Sequence, residues 1–293
     1  MHWNFQSIPL VPSSLGKHIF IGLVLILALR WQVAAETRTN IEYAVVGGES
    51  LKLDAHLPEG KGPFPTVILV HGGAWSGGSK EVYITPLFKP LTDAGLTWFS
   101  INYRLAPTNP YPAAVDDVVT AVRWVKDHAK DFKVGEKRIV LVGESAGGHL
   151  VALVGARDGR KLGLAGVVPY YAPCDFTGLI GGLDKTNKAP NAVGTFLGIR
   201  EWDENARRLL REASPVTYVT PDMPPFLLIH GNTDALVPYS QSLTMRDRMK
   251  EAGATAELYT VPGGGHGMTA WERDAQMQGH KTVLIEWIRK VTR

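Results

Sequence analysis

The feature that most constrains the fold is an alternation of short apolar runs with amphipathic helical stretches. Thr66–Val70, Arg138–Gly143, Ala165–Tyr170 and Phe226–His230 are nearly continuous apolar runs of strand length, the pattern of strands covered on both faces. Leu96–Asn102 and Ala256–Val261 have similar character. Between them, Ala113–His128 places Val115, Val118, Val119, Val122 and Val125 near helical spacing, and Leu243–Ala252 and Ala275–Lys290 also read as helices. This alternation predicts an α/β fold, a mostly parallel central sheet with helices on both faces. Ile41–Val46 and Leu51–Leu57 flank Gly47-Gly48, which predicts an antiparallel hairpin at one edge.

The stretch Cys174–Ser214 lacks a clean period and is punctuated by glycines. An insertion after a strand in an α/β protein sits over the carboxyl ends of the strands, so residues 174–214 are expected to form a short cap, with a bland connecting loop carrying one helix around Glu201–Arg211 as the alternative. The single cysteine, Cys174, excludes an intramolecular disulfide and a multi-cysteine metal site. A net charge of +3 with no Lys/Arg run gives no nucleic-acid surface. With 45% hydrophobic residues the chain is neither disordered nor a multi-span membrane protein.

At the N-terminus, Lys17 and His18 precede the apolar run Ile19–Leu29, followed by the small residues Val33-Ala34-Ala35. The run is shorter than the ~20 apolar residues a bilayer span needs. Residues 1–35 are therefore expected to be a cleaved export signal ahead of a catalytic domain at 36–293, giving a periplasmic or secreted protein. A buried hydrophobic helix and an uncleaved anchor are the alternatives.

Gly143-Glu144-Ser145-Ala146-Gly147 lies directly between the RIVLV run and a helical stretch. A tight strand-to-helix turn there lifts the Ser145 hydroxyl clear of the sheet, at a helix N-terminus that favours developing negative charge. His71-Gly72-Gly73-Ala74-Trp75 follows the TVILV run; backbone N–H groups of Gly73 and Ala74, with that of Ala146, can converge on an oxyanion. A glycine-rich turn with no ligand is the bland alternative. A serine nucleophile needs a base, and the base an orienting carboxylate. Asp234 follows the FLLIH run and His266 follows the next strand, so both fall at the sheet edge that carries Ser145. His71 is expected to hold its loop, His149 to pack within a helix, and His280 to lie on a surface helix. Asp116 and Asp117 are expected to serve a helix start. Trp75 reads equally as pocket lining or a buried aromatic, and Cys174 as an inert thiol. No HExxH-type spacing occurs, and no metal or organic cofactor is implied.

HGGAW (71–75), NYRLAP (102–107), YPAAVDD (111–117), GESAGG (143–148), DALVP (234–238) and GGGHG (263–267) together resemble the α/β-hydrolase superfamily. The resemblance is to hormone-sensitive-lipase-like serine esterases, and among them to secreted bacterial carbohydrate esterases of the feruloyl/acetylxylan type. It covers about residues 66–290 and implies Ser145 as nucleophile, Asp234 as acid, His266 as base, and Gly73, Ala74 and Ala146 as the oxyanion hole. The implied substrate is a short-chain or carbohydrate-linked ester; an amidase, peptidase or formamidase on the same fold is the alternative, and a non-catalytic binding module a remote one. HGGA replaces the HGGG of many relatives, so the Ala74 methyl is expected to narrow tolerance for bulky alcohols. The short stretch ahead of the first strands leaves no room for a large helical cap, which puts long-chain lipids in doubt.

Overall fold

The computed structural model describes residues 1–2, 34–181 and 192–293. The chain divides into two units, Met1–Gln32 and Val33–Arg293, and every element below belongs to the second. The expected export segment, apart from its first two and last two residues, lies outside the described residues, as do residues 182–191 of the expected cap. Eight strands form one sheet: β1 (Glu36–Val46), β2 (Glu49–Leu57), β3 (Phe64–Val70), β4 (Thr97–Ile101), β5 (Val134–Glu144), β6 (Gly166–Tyr170), β7 (Phe226–Gly231) and β8 (Ala256–Val261). Their order is β1-β2-β4-β3-β5-β6-β7-β8. β1–β2 and β2–β4 pair antiparallel, and the other neighbours are parallel. The helices are α1 (Phe88–Asp93), α2 (Ala113–Asp127), α3 (Ala146–Leu162), α4 (Phe176–Gly181), α5 (Ala192–Leu197), α6 (Glu204–Glu212), α7 (Ser240–Glu251), α8 (Met268–Trp271) and α9 (Gly279–Val291).

The two-residue alternation of strand side chains sorts the apolar runs onto two covered faces. Ile68, Val70, Ile139, Leu141, Phe226 and Leu228 pack against Val115, Val118 and Val122 of α2, Leu150 and Leu153 of α3, and Met245 of α7. Val67, Leu69, Val140, Val142, Leu227 and Ile229 pack against Leu91 of α1, Trp271 of α8, and Leu284 and Ile288 of α9. The valines of α2 disfavour a helix through lost χ1 freedom, by a few tenths of a kcal/mol each. Burying a valine returns about 1.5–3 kcal/mol, so tertiary packing decides the matter. From β3 the chain steps outward to β4, then returns across to β5 and proceeds the other way. That reversal falls at the carboxyl ends of β3 and β5, the switch point where open α/β sheets carry a ligand-binding crevice.

Three local expectations differ from what the fold does. The stretch expected as a single helix over Ala275–Lys290 begins with a separate turn of 3₁₀ helix, Ala275–Gln278, capped by Asp274, whose Oδ1 accepts the Gln276 N–H at 2.8 Å. His280, expected on a surface helix, is buried, with Nδ1 3.2 Å from the Tyr170 hydroxyl of β6; its own position on α9 faces the sheet. Asp116 does lie exposed in the first turn of α2. Asp117 is buried and instead accepts hydrogen bonds from the Arg104 backbone N–H (2.8 Å), Nε (2.9 Å) and Nη2 (2.7 Å).

The Arg104–Asp117 pair fixes the loop beside the crevice, and two residues on, the Ala106 N–H donates to Trp75 O at 2.9 Å. Removing the cation alone strands a carboxylate in the interior. Arg104→Met is expected to lower stability by about 3 kcal/mol, and adding Asp117→Asn to recover more than half of the loss. Urea unfolding of both variants checks this; equal stabilities for the single and double variants would show that the charge, not the packing, is unimportant here.

Candidate active site

β5 ends at Glu144 and α3 begins at Ala146, so Ser145 alone makes the turn between them. Its backbone sits at φ 53°, ψ −118°, a conformation that costs a non-glycine residue roughly 1–3 kcal/mol. The Ser145 N–H donates to Tyr170 O at 3.0 Å, which holds the turn on β6. Gly147 has to be glycine, because a Cβ there would fall on the carbonyl oxygens of Val70 and His71. The start of α3 thereby lies backbone to backbone on the end of β3.

His266 comes from the turn after β8 and Asp234 from the turn after β7. His266 Nε2 is 2.9 Å from Ser145 Oγ, and His266 Nδ1 is 2.7 Å from Asp234 Oδ2. Asp234 Oδ1 accepts from the N–H groups of Leu236 and Val237, each at 2.9 Å. Burial opposes ionisation of Asp234, but hydrogen bonds from His230, His266 and the Val237 N–H outweigh it and hold the carboxyl well below the usual carboxylate range. An anionic Asp234 requires the hydrogen on Nδ1 of His266, which leaves Nε2 to accept from the Ser145 hydroxyl. The His266 ring is steadied edge-on by Tyr171, centroids 4.9 Å apart.

The loop after β3 holds Gly73, Ala74 and Trp75 at positive φ, 108°, 51° and 58°. Two adjacent non-glycine residues in this region need strong external support. Gly73 O accepts from Ser76 N–H (3.1 Å) and Gly77 N–H (2.9 Å), and the buried Trp75 donates its indole N–H to His149 Nδ1 at 3.1 Å. Trp75 is therefore a seated core aromatic. Among the described residues no acceptor takes the N–H of Gly73 or Ala74, and Ala146, first in α3, has no acceptor within the helix. Lys80 continues this segment; it is buried with its Nζ 2.9 Å from Asp54 Oδ2, which ties the loop to β2.

The remaining expectations fall into place around this centre. His71 is buried, stacked on Tyr103 at 4.3 Å, with Nδ1 donating to Gly72 O at 2.7 Å; burial lowers it to about 4. His149 packs within α3, and its Nε2 donates to Ala213 O at 2.7 Å. Burial pushes the Cys174 thiol up to about 12.

Glu144 is the residue that sequence reasoning passed over. It is buried directly beneath the Ser145 turn, and its Oε1 accepts the Gly72 N–H of the loop after β3. Burial raises it to about 7, against the opposing pull of that N–H, the His266 charge and the Tyr171 hydroxyl. The Tyr171 hydroxyl in turn accepts the Met268 N–H at 2.9 Å. The available signal was a carboxylate ending a fully apolar run opposite a glycine. Together these groups can move a proton from a serine hydroxyl to an imidazole while free N–H groups face a nearby anion.

Residues 53–249 match the sequence model of the BD-FAE family. Esterase LipC of Mycobacterium tuberculosis is 30% identical over 220 residues, spanning 70% of this chain and 53% of that protein. The chain spans about half the length of the curated relatives it matches. Among solved structures, a truncated form of a carbohydrate esterase from gut microbiota aligns with TM-score 0.77 and 26% identity over 88% of this chain and 96% of that one. EstE1, a thermophilic and thermostable carboxylesterase cloned from a metagenomic library, aligns with TM-score 0.73 and 25% identity over 89% and 91%.

Because Glu144 titrates near 7 when folded against 4.5 when free, the folded protein binds a proton there that the unfolded chain has released. Stability therefore falls as pH rises through this window, by about 3 kcal/mol in full. Gln at this position keeps an acceptor for Gly72 and does not titrate. The stability of Glu144→Gln relative to the unsubstituted protein is expected to rise by about that amount between pH 4.5 and 7.5. Urea unfolding at the two pH values checks it, and parallel pH slopes would show that Glu144 does not titrate in this range.

Proposed function

The chain belongs to the BD-FAE family of the α/β-hydrolase superfamily, and from that premise we propose that it is a serine carboxylic-ester hydrolase acting on short-chain or carbohydrate-linked esters. The observation that carries the reading is the hydrogen-bonded chain Ser145–His266–Asp234, at 2.9 and 2.7 Å, drawn from the turns after three different strands. The carbohydrate esterase from gut microbiota among the similar structures supports the sugar-linked substrate class.

In the proposed reaction, Ser145 Oγ attacks the ester carbonyl carbon while its proton passes to His266 Nε2. The carbonyl π pair moves onto oxygen, and the N–H groups of Gly73, Ala74 and Ala146 receive that charge. Each such donor is worth roughly 3–4 kcal/mol in a site that excludes water. Collapse of the tetrahedral intermediate breaks the bond to the alcohol oxygen, which takes the proton from His266. Water then attacks the acyl-serine, delivering its proton to the same nitrogen, and the acid leaves with Ser145 restored. Asp234 stays anionic throughout and stabilises the imidazolium. Residues 1–35 act, in this proposal, as an export signal that places the enzyme outside the cytoplasm; an N-terminus near Glu36 on the exported protein, read by mass spectrometry, tests that part.

Hydrolysis of p-nitrophenyl acetate, butyrate and decanoate tests the reaction, followed by acetylated and feruloylated xylan. The acetate and butyrate are expected to turn over faster than the decanoate, and Ser145→Ala to lose about 10³-fold or more. An inactive enzyme whose Ser145 is still labelled by a fluorophosphonate would overturn the ester class and move the test to amides. The absence of both turnover and labelling would overturn the hydrolase reading.

A further inference from the structure

A second histidine reaches the acid. His230 is fully buried near the end of β7, and its Nε2 lies 3.0 Å from Val237 O and 3.4 Å from Asp234 Oδ2. Both neighbours of that nitrogen are acceptors only, in a place closed to water, so Nε2 must carry a hydrogen. Nδ1 lies 2.7 Å from the hydroxyl of Ser242 on α7, which can donate to it. With that hydrogen on Nε2 and the Ser242 hydroxyl donating to Nδ1, every polar atom around the ring is satisfied. Tyr239 and Tyr171 meet the ring edge-on at 5.5 and 6.4 Å, and Thr260 pairs with it from β8. Among the described residues, Asp234 is the one charged group paired with the ring.

We propose that His230 is a positioning residue for the triad: its Nε2–H shares Asp234 Oδ2 with His266, fixing the carboxylate's rotation and limiting how strongly that oxygen draws on the base. The inference rests on the functional reading above. The two faces of the carboxylate then have separate duties. Oδ1 is held by the Leu236 and Val237 N–H groups of its own turn, and Oδ2 faces both the imidazole of the base and that of His230. Val237 serves both sides, since its N–H holds Oδ1 while its carbonyl shares the His230 N–H. The pattern escapes periodicity analysis because the contact joins a strand residue to a turn residue four positions on.

Gln and Met are close in shape, but only Gln offers an N–H, so His230→Gln and His230→Met separate donation from packing. His230→Met is expected to lower kcat about ten-fold with KM changed less than two-fold, and to move the acid limb of kcat/KM up by about half a pH unit, as an unshared Oδ2 binds the imidazolium more tightly. His230→Gln is expected to recover most of both. Equal losses in the two variants with an unmoved limb would reduce His230 to a packing role and overturn the proposal. Two measurements need no turnover. The downfield His266 Nδ1–H proton resonance should move in His230→Met and return in His230→Gln, and a fixed resonance overturns the proposal even if the ester reading has failed. Should the Met variant not fold, ¹⁵N correlation spectra of the unsubstituted chain decide it: a neutral Nε2–H His230 supports the proposal, and an Nδ1–H tautomer overturns it.

Discussion

The contact on which the site depends is a close approach of backbone to backbone where the start of α3 crosses the end of β3. Gly147 leaves no room for a side chain between its Cα and the Val70 and His71 carbonyls, and Gly72 leaves none between the loop and the Glu144 carboxylate. That closeness joins elements that share no sequence continuity, and in the proposed reaction it lets Ala146, Gly73 and Ala74 offer their N–H groups to one oxygen. It also explains why the turn must be a single residue. A longer connection would let Ser145 relax from its strained φ and would carry its hydroxyl away from His266.

Two carboxylates frame this contact, and their environments drive them apart. Asp234 is given donors on both oxygens and stays ionised. Glu144 is given burial with one backbone donor and is raised to about 7. The first can therefore orient and stabilise an imidazolium, while the second joins three loops: the Gly72 turn, Tyr171, and through the Tyr171 hydroxyl the Met268 N–H beside His266. A hydrogen-bonded carboxylate beneath the nucleophile turn thus ties the loop after β3 to the one after β8. Pairs of titratable groups pushed in opposite directions are a frequent mark of catalytic sites.

Much of this was legible in the sequence because each working residue sits at the end of an apolar run, marked by glycine. Ser145, Asp234 and His266 follow β5, β7 and β8 in that way, and a parallel sheet brings all such turns to one edge. What stayed hidden depends on contacts that no local pattern encodes. Asp117 looked like a helix-start carboxylate until Arg104, thirteen positions earlier, was folded onto it. His280 looked solvated because its neighbours in α9 are polar, though its own position faces Tyr170. The role of His230 beside Asp234, and of Glu144 beneath Gly72, arises only when strand ends are stacked in space.

The strained loop after β3 is secured from the far side by a hydrogen-bonded chain. The Trp75 indole donates to His149 Nδ1, and His149 Nε2 donates to Ala213 O just past α6. For Nδ1 to accept, His149 must be neutral, and burial ensures this by lowering it to about 4. The same indole stacks on Phe196 of α5, centroids 4.7 Å apart. Loop, α3 and the helices of the 174–214 segment are thus joined through one side chain whose backbone is itself in the left-handed region. A shift of α5 would therefore pull on Trp75 and on its neighbours Gly73 and Ala74. A changed shape at Phe196, Phe176 or His149 likewise reaches Trp75, and through it the loop after β3, directly.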